Sequence, residues 1–216
     1  MAQQEGVIKF ELWFIQTAPL PEEVLREINA WRRLLYLTQL IGRDPARYDG
    51  YGFGNISQRV APFDAPPYER RFVITGSQTG GLPVLTGAHY ALVRESHPDQ
   101  NLIAAEGPIL PSSESLTHGT LYALDDDLRF VMHVHSPELW RHAHALDLPV
   151  TRPDVTYGTP EMSDEVRRLF RETDARRRRL FSMGGHEDGL VSFGCTAEEA
   201  GTVLLSYLAR ALQRGS

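Results

Sequence analysis

The stretch Phe130-Val-Met-His-Val-His-Ser-Pro137 places two histidines, His133 and His135, one residue apart at the end of an apolar run. The run and the proline after it predict a buried strand that ends at a bend. Side chains at positions i and i+2 of a strand point to the same face, with Cα atoms about 6.6 Å apart. The two imidazoles can therefore converge on one cation, although a pair of hydrogen-bonded core histidines would give the same pattern.

A metal site needs at least a third protein ligand. A second His-x-His, at His142 and His144, lies in a predicted helix, where two positions turn by about 200° and the rings diverge. His186 is a better candidate, because it stands among glycines between two strand-like runs in MGGHEDGLVSFG. The alternative is that His186, Glu187 and Asp188 form only the polar tip of a hairpin.

The composition bounds the class of protein. The chain has 216 residues, 42% of them hydrophobic, which predicts one domain over residues 1–216 with an N-terminal extension over 1–20. A net charge of -6 argues against nucleic acid or an anionic membrane as partner, and no apolar run is long enough for a membrane span. The single cysteine, Cys195, excludes an internal disulfide and fits a reducing compartment, so we expect a cytoplasmic protein. The only lysine, Lys9, lies in the alternating N-terminal stretch, which argues against imine chemistry.

Strand-like and helix-like segments alternate along the whole chain, which predicts an α/β fold. The predicted strands cover residues 6–15, 55–60, 71–75, parts of 88–110, 129–135 and the two flanks of GGHEDG. The predicted helices cover residues 22–41 and 111–124, a segment opened by Ser136-Pro137, residues 160–172, and a C-terminal segment opened by the capping box Thr196-Ala-Glu-Glu199. The run Arg176–Arg179 is interpreted as a solvated turn, an anion clamp or a subunit contact.

The order of six motifs resembles the class II aldolase/adducin family over about residues 25–212. The motifs are Gly54-Asn-Ile-Ser57, Ile74-Thr-Gly-Ser-Gln-Thr-Gly80, Pro111-Ser-Ser-Glu114, His133-Val-His-Ser-Pro137, Tyr157-Gly-Thr159 and Gly185-His186. The resemblance implies a three-layer α/β/α sandwich with a central mixed, mostly antiparallel sheet. It also implies a divalent metal ion, with zinc expected, held at the family positions that match His133, His135 and His186.

The resemblance further implies that Glu114 approaches the metal and acts as the acid/base. The family's phosphate-binding positions match Gly54, Asn55, Ser77, Thr79, Gly80, Ser112 and Ser113. Physical chemistry agrees, because Glu114 near a helix N-terminus feels its positive end and the adjacent serines and free amides suit an anion. The alternatives are that Ser112-Ser113-Glu114 is only a helix cap and that residues 75–81 are only a turn.

The activity implied by the resemblance is that of a metal-dependent lyase. Such an enzyme cleaves or forms a carbon–carbon bond of a sugar phosphate or related hydroxy-carbonyl compound through a metal-stabilised enediolate, and the family commonly forms homotetramers. Epimerase, dehydratase or decarboxylase chemistry on the same site is an alternative, as is a non-catalytic adducin-like interaction domain. Two departures weaken the aldolase assignment: the segment that carries the family's tyrosine proton donor is short here, and Glu187 and Asp188 follow His186 where the family has glycine.

Overall fold

The computed structural model describes residues 5–215, and an eight-stranded sheet forms its centre. The strands are β1 (Glu11–Gln16), β2 (Gly42–Arg43), β3 (Gly52–Phe53), β4 (Asn55–Arg59), β5 (Phe72–Thr75), β6 (Tyr90–His97), β7 (Leu102–Gly107), β8 (Phe130–His135), β9 (Leu180–Ser182) and β10 (Gly189–Gly194). The helices are α1 (Arg26–Leu37), α2 (Ser115–Leu124), α3 (Pro137–Arg141), α4 (Pro160–Glu172), α5 (Ala175–Arg178) and α6 (Ala197–Arg214).

The strand order in the large sheet is β1-β7-β6-β5-β4-β8-β10-β9, while β2 and β3 form a separate ribbon. Within the large sheet, β1 and β7 pair in parallel and the other neighbours pair antiparallel. The predicted mixed, mostly antiparallel sheet is therefore confirmed. The strand that carries the two histidines, β8, lies between β4 and β10 near the middle of the sheet.

Two apolar cores cover the two faces of the sheet, which gives three layers. One core packs α1, α3 and α6 against the sheet, and the other packs α2 and α4 against the opposite face. The alternation along β8 divides its side chains between them, with Met132 and Val134 in the first core and Val131 in the second. Because His133 and His135 share the parity of Val131, both imidazoles face the α2 side.

Several boundaries differ from the sequence prediction. The predicted N-terminal strand over 6–15 is displaced to Glu11–Gln16, and the predicted helix over 22–41 is divided into a 3₁₀ turn at Glu22–Leu25 and α1. Helix α1 ends at Leu37 rather than before Gly42, because Gln39 has a positive φ of 60° and the amide of Leu40 donates to the carbonyl of Leu35. This arrangement is a helix stop usually made by glycine.

The arginine run forms the short helix α5 and its end, where Arg176 pairs with Asp125 and Arg178 with Asp174. Those contacts favour the interpretation as a turn held by ion pairs. Across residues 5–215, no helix has both the length and the apolar character that crossing a membrane requires.

Candidate functional site

Three buried histidines meet at one end of the central strands. His133 and His135 lie at the end of β8, opposite Val191 and Gly189 of β10. His186 lies in the tight turn between β9 and β10, where its amide donates to Met183 and its carbonyl accepts from the amide of Gly189. The hairpin therefore turns the ring of His186 back towards the two histidines of the neighbouring strand.

The ring nitrogens of these histidines converge. The Nε2 atom of His133 lies 3.2 Å from Nε2 of His135 and 3.3 Å from Nε2 of His186. Each of the three residues offers a ligand atom, and these atoms lie within 4.8 Å of one another. Zinc–nitrogen bonds of about 2.0–2.1 Å place tetrahedral donors about 3.3–3.4 Å apart. The donor set fits a divalent ion.

A hydrogen bond of His133 determines which of its ring nitrogens can bind a metal. Its Nδ1 lies 3.1 Å from the carbonyl oxygen of Leu190. Because a carbonyl only accepts, Nδ1 carries the proton and Nε2 of the neutral ring presents a lone pair. Burial lowers the pKa of His133 to about 4 and lowers the pKa values of His135 and His186 well below their usual range. All three imidazoles are therefore neutral at pH 7, the form that binds a metal.

Glu114 lies beside the histidines at the N-cap position of α2. Its Oε2 accepts a hydrogen bond from Thr117, while its buried Oε1 has no hydrogen-bond partner within the described residues. Oε1 is 3.9 Å from Nε2 of His133 and 3.8 Å from Nε2 of His186. Burial raises the pKa of Glu114 to about 7, against the opposing effects of the Thr117 hydrogen bond and of Lys9. A carboxyl group with such a pKa can both accept and give a proton near neutral pH.

The predicted phosphate-binding residues share one small cavity with Glu114 and His133. All seven line it: Gly54, Asn55, Ser77, Thr79, Gly80, Ser112 and Ser113. Gly80 has to be glycine here, because an added Cβ would overlap the backbone of Phe53. The buried Oδ1 of Asn55 has no hydrogen-bond partner among residues 5–215. The cavity holds about 20 Å³, about the room of one water molecule.

The residues that follow His186 do not turn towards the histidines. Asp188 pairs with Arg47 at 2.9 Å and accepts a hydrogen bond of 2.6 Å from the hydroxyl of Tyr48. Glu187 is exposed. The contacts of Asp188 indicate that these residues reshape the turn and do not add a carboxylate to the group of histidines. They also bring the ring of Tyr48 edge-on to His135, at a centroid distance of 4.8 Å.

Sequence reasoning missed the N-terminal residues of the site. Glu5 is buried, with Oε1 3.7 Å from Nδ1 of His186 and Oε2 4.0 Å from Nε2 of His135. Lys9, which the sequence interpretation discounted, places its ammonium group 3.5 Å from the ring centroid of Tyr157 and donates to the carbonyl oxygen of that residue. The available signal was the pair of opposite charges in the otherwise apolar stretch EGVIKF, which contains the chain's only lysine.

The chain was compared with protein families, curated proteins and solved structures. The family model described as the class II aldolase and adducin N-terminal domain matches residues 34–213. No curated protein matches the chain.

Among solved structures, YgbL from Escherichia coli, a candidate aldolase, epimerase or decarboxylase, has a TM-score of 0.64 at 15% identity, covering 89% of this chain and 88% of that one. L-fuculose-1-phosphate aldolase from Thermus thermophilus has a TM-score of 0.61 at 20% identity, covering 91% and 98%. The sugar-phosphate aldolase from Thermotoga maritima has a TM-score of 0.60 at 18% identity, covering 90% and 97%. At these identities the likeness to solved structures is one of fold.

Proposed function

The chain belongs to the class II aldolase and adducin family, and from that premise we propose that it is a metal-dependent lyase that cleaves or forms a carbon–carbon bond in a sugar phosphate or related hydroxy-carbonyl compound. One observation carries the proposal. Three neutral imidazoles converge within 4.8 Å of one another beside the unpartnered oxygen of Glu114, next to the cavity of the predicted phosphate-binding residues.

A divalent ion bound by His133, His135 and His186, for which zinc is the expected choice, would supply the Lewis acid that polarises the substrate carbonyl and stabilises the charge developing on its oxygen. Glu114 would move the proton, because its free Oε1 lies next to the histidines and its raised pKa lets it work in both directions near pH 7. Thr117 holds the other carboxyl oxygen and so keeps Oε1 directed at the site.

The cavity supplies the contacts for an anionic end of the substrate. Ser112 and Ser113 are buried at the start of α2, whose N-terminal end favours negative charge. Asn55 contributes a buried amide, and glycines such as Gly80 allow a ligand close to the backbone. These hydrogen-bond donors suit a phosphate group, and the cavity of about 20 Å³ would have to widen to admit one.

Other activities use the same kind of site. Epimerase, dehydratase and decarboxylase chemistry share the step at the polarised carbonyl, and the structural relative from E. coli is itself described with two of those activities as well as aldolase. The complete set of histidines argues against a non-catalytic, adducin-like role. A homotetrameric assembly and a cytoplasmic location remain predictions.

Metal analysis followed by proton exchange tests the proposal. Purified wild-type protein should contain a divalent ion and should catalyse deuterium incorporation from D₂O into a ketose phosphate substrate. His133→Ala should release the ion, since it removes one of three ligands. Glu114→Gln should keep most of the ion and lose at least about 100-fold in exchange rate, because general acid–base catalysis contributes about 10²–10⁴-fold.

The matched control is His144→Ala, which removes an exposed imidazole from the second His-x-His and should leave metal content and exchange unchanged. Full metal occupancy in His133→Ala would refute the ligand assignment. An unchanged exchange rate in Glu114→Gln would refute the acid/base role.

A further inference from the structure

The N-terminal segment, residues 5–10, is fixed over the site by backbone contacts. The carbonyl of Glu5 accepts from the side-chain amide of Gln78 at 3.1 Å, and that of Gly6 accepts from the hydroxyl of Ser77 at 3.3 Å. Gly6 has a φ of +74°, and a Cβ there would overlap the side chain of Gln78. The segment is therefore seated against the same loop, residues 75–81, that lines the candidate substrate cavity.

Further contacts hold the segment on its other side. The amide of Val7 donates to the hydroxyl of Tyr157 at 3.2 Å, and the ammonium group of Lys9 donates to the carbonyl of Tyr157 at 3.0 Å. Phe10, at the end of the segment, is 6% exposed and belongs to the core beneath α2 and α4. These contacts join the segment to loop 75–81, to Tyr157 and to the core, so the position of Glu5 is set by the fold.

Glu5 presents its carboxylate to the histidines. One oxygen is 3.7 Å from Nδ1 of His186 and the other is 4.0 Å from Nε2 of His135, whereas Glu114 approaches Nε2 of His186. The two carboxylates thus approach the group of histidines at different atoms. Donors that share an ion through bonds of about 2.0–2.2 Å stand at most about 4.4 Å apart, when they lie on opposite sides of it. The 4.0 Å from Glu5 to His135 exceeds the spacing of a tetrahedral pair and lies within this wider limit, as in a site with more than four ligands.

Charge supports the same assignment. Burying a carboxylate is costly unless an opposite charge meets it, and here a second carboxylate, Glu114, is buried nearby. The three histidines are neutral, and the ammonium group of Lys9 is one positive charge acting on two carboxyl groups. A divalent cation among the histidines would balance both carboxylates.

We propose that Glu5 is a further ligand of the metal centre, carried to it by the N-terminal segment in addition to the three histidines. The inference rests on the proposed function, because it requires the metal site. It places residues 5–10 inside the functional unit and makes the segment a wall of the substrate cavity, which Glu5 and Gly6 also line.

Cobalt binding to the full-length protein tests the inference. Metal is removed with a chelator, Co²⁺ alone is added back, and the dissociation constant and visible absorption spectrum are recorded for wild type, Glu5→Gln and Glu11→Gln. Glu5→Gln should bind Co²⁺ about 10–100-fold more weakly and with shifted absorption bands, since outer contacts alone carry effects of that size. Glu11→Gln, which neutralises an exposed carboxylate on β1, should match the wild type.

The outcomes separate the inference from the proposed function. An identical Co²⁺ spectrum for wild type and Glu5→Gln would overturn the inference even if the affinity falls, because an outer contact alone accounts for such a loss, and it would leave the proposed function standing. A wild-type protein that binds no Co²⁺ would overturn the proposed function itself, and the inference with it. Metal-free Glu5→Gln should unfold at the same or a higher urea midpoint than metal-free wild type. A lower midpoint would mean that the loss of Co²⁺ affinity comes from weaker folding, and it would also overturn the ligand role.

Discussion

His118 shows that a buried histidine near the site need not belong to the proposed metal centre. It follows Glu114 by one helical turn on α2, and its Nδ1 lies 2.7 Å from the hydroxyl of Ser57, which also contacts the hydroxyl of Tyr122 at 2.7 Å. Burial, with a smaller electrostatic effect of nearby His133, lowers the pKa of His118 well below its usual range. Its role is that of a neutral, hydrogen-bonded residue between α2 and β4.

The lowered pKa of His118 predicts a dependence of stability on pH. Below a pH of about 6.5 the unfolded chain binds a proton at His118 and the folded chain does not, so the free energy of unfolding falls as the pH falls. The stability that depends on a neutral His118 is fully present above that pH, and it is lost at about 1.4 kcal/mol per pH unit below it. His118→Asn cannot be protonated and should remove this slope.

Urea unfolding of metal-free wild type and His118→Asn at pH 7.5, 6.5 and 5.5 measures this effect. His133, His135 and His186 contribute in the same direction in both proteins, so the difference between the two proteins isolates His118. We expect the variant to be less stable at pH 7.5, because it loses packing, and the gap to close as the pH falls. Parallel curves at all three pH values would show that His118 does not stay neutral.

At the residue scale, the sequence predicts which side chains share a face of one strand or helix. It does not predict contacts between residues that lie far apart in the chain. His133 and His135 share a strand face because strand side chains repeat every two residues, and this needs no knowledge of the fold. Glu5 lies far along the chain from the three histidines, and only the folded chain brings it to them. The opposite charges of Glu5 and Lys9 in the stretch EGVIKF were therefore the available sequence signal, and they did not indicate which residues Glu5 would meet.

At the scale of elements, the turn over residues 157–159 fixes the segment that carries the two serines. Gly158 has a φ of +67°, and a Cβ there would overlap the carbonyl oxygen of Ser113. Thr159 then caps α4, because its hydroxyl accepts from the amide of Met162. The motif Tyr157-Gly-Thr159 thus brings the start of α4 into close contact with the segment just before α2.

Gly158→Ala should lower the free energy of unfolding by about 2 kcal/mol or more, since a non-glycine residue at positive φ costs about 1–3 kcal/mol before any displacement of Ser113. Urea unfolding at pH 7.5 measures the loss. The matched control is Gly215→Ala near the C-terminus, where an added Cβ meets nothing within 4 Å, and its stability should stay within about 0.5 kcal/mol of wild type. Equal stability of the two variants would contradict the close contact.

Element types were more predictable than element ends. The 3.6-residue period predicted α1, but its end at Leu37 depends on Gln39 adopting a conformation that glycine usually supplies. The capping box of α6 is made in modified form, because Thr196 accepts from the amide of Glu199 while the carboxylate of Glu199 accepts from the amide of Cys195. The ends of these helices depend on single hydrogen bonds, and the helix propensities of the residues do not predict where such bonds form.

At the scale of the whole molecule, the N-terminal stretch is part of the central sheet. Strand β1 pairs in parallel with β7 along its full length, from Glu11 opposite Leu102 to Gln16 opposite Gly107. The sequence analysis predicted a strand over residues 6–15 but treated residues 1–20 as an extension beside a family resemblance that covers about residues 25–212. A parallel pairing across about ninety residues leaves no local signal that would place this strand in the sheet. The sheet edge and the three buried histidines are consequently linked through the segment that joins β1 to Glu5.

This link predicts that a core substitution far from the histidines weakens metal binding. Phe10→Ala removes a buried ring at the base of the N-terminal segment and should lower the free energy of unfolding by about 3 kcal/mol or more. Because the ring anchors the segment that presents Glu5, Co²⁺ affinity should fall as well, by no more than Glu5→Gln loses. The measurements are urea unfolding and Co²⁺ titration of the full-length protein.

Trp13→Ala is the control for this prediction, because it removes an aromatic ring of the same strand that is 60% exposed. Its stability should stay within about 0.5 kcal/mol of wild type, with unchanged Co²⁺ affinity. A Phe10→Ala protein that is less stable but binds Co²⁺ like wild type would show that Ser77, Gln78 and Tyr157 suffice to hold Glu5. Loss of both stability and Co²⁺ affinity would instead show that packing of Phe10 in the second core is needed to hold Glu5 at the proposed metal centre.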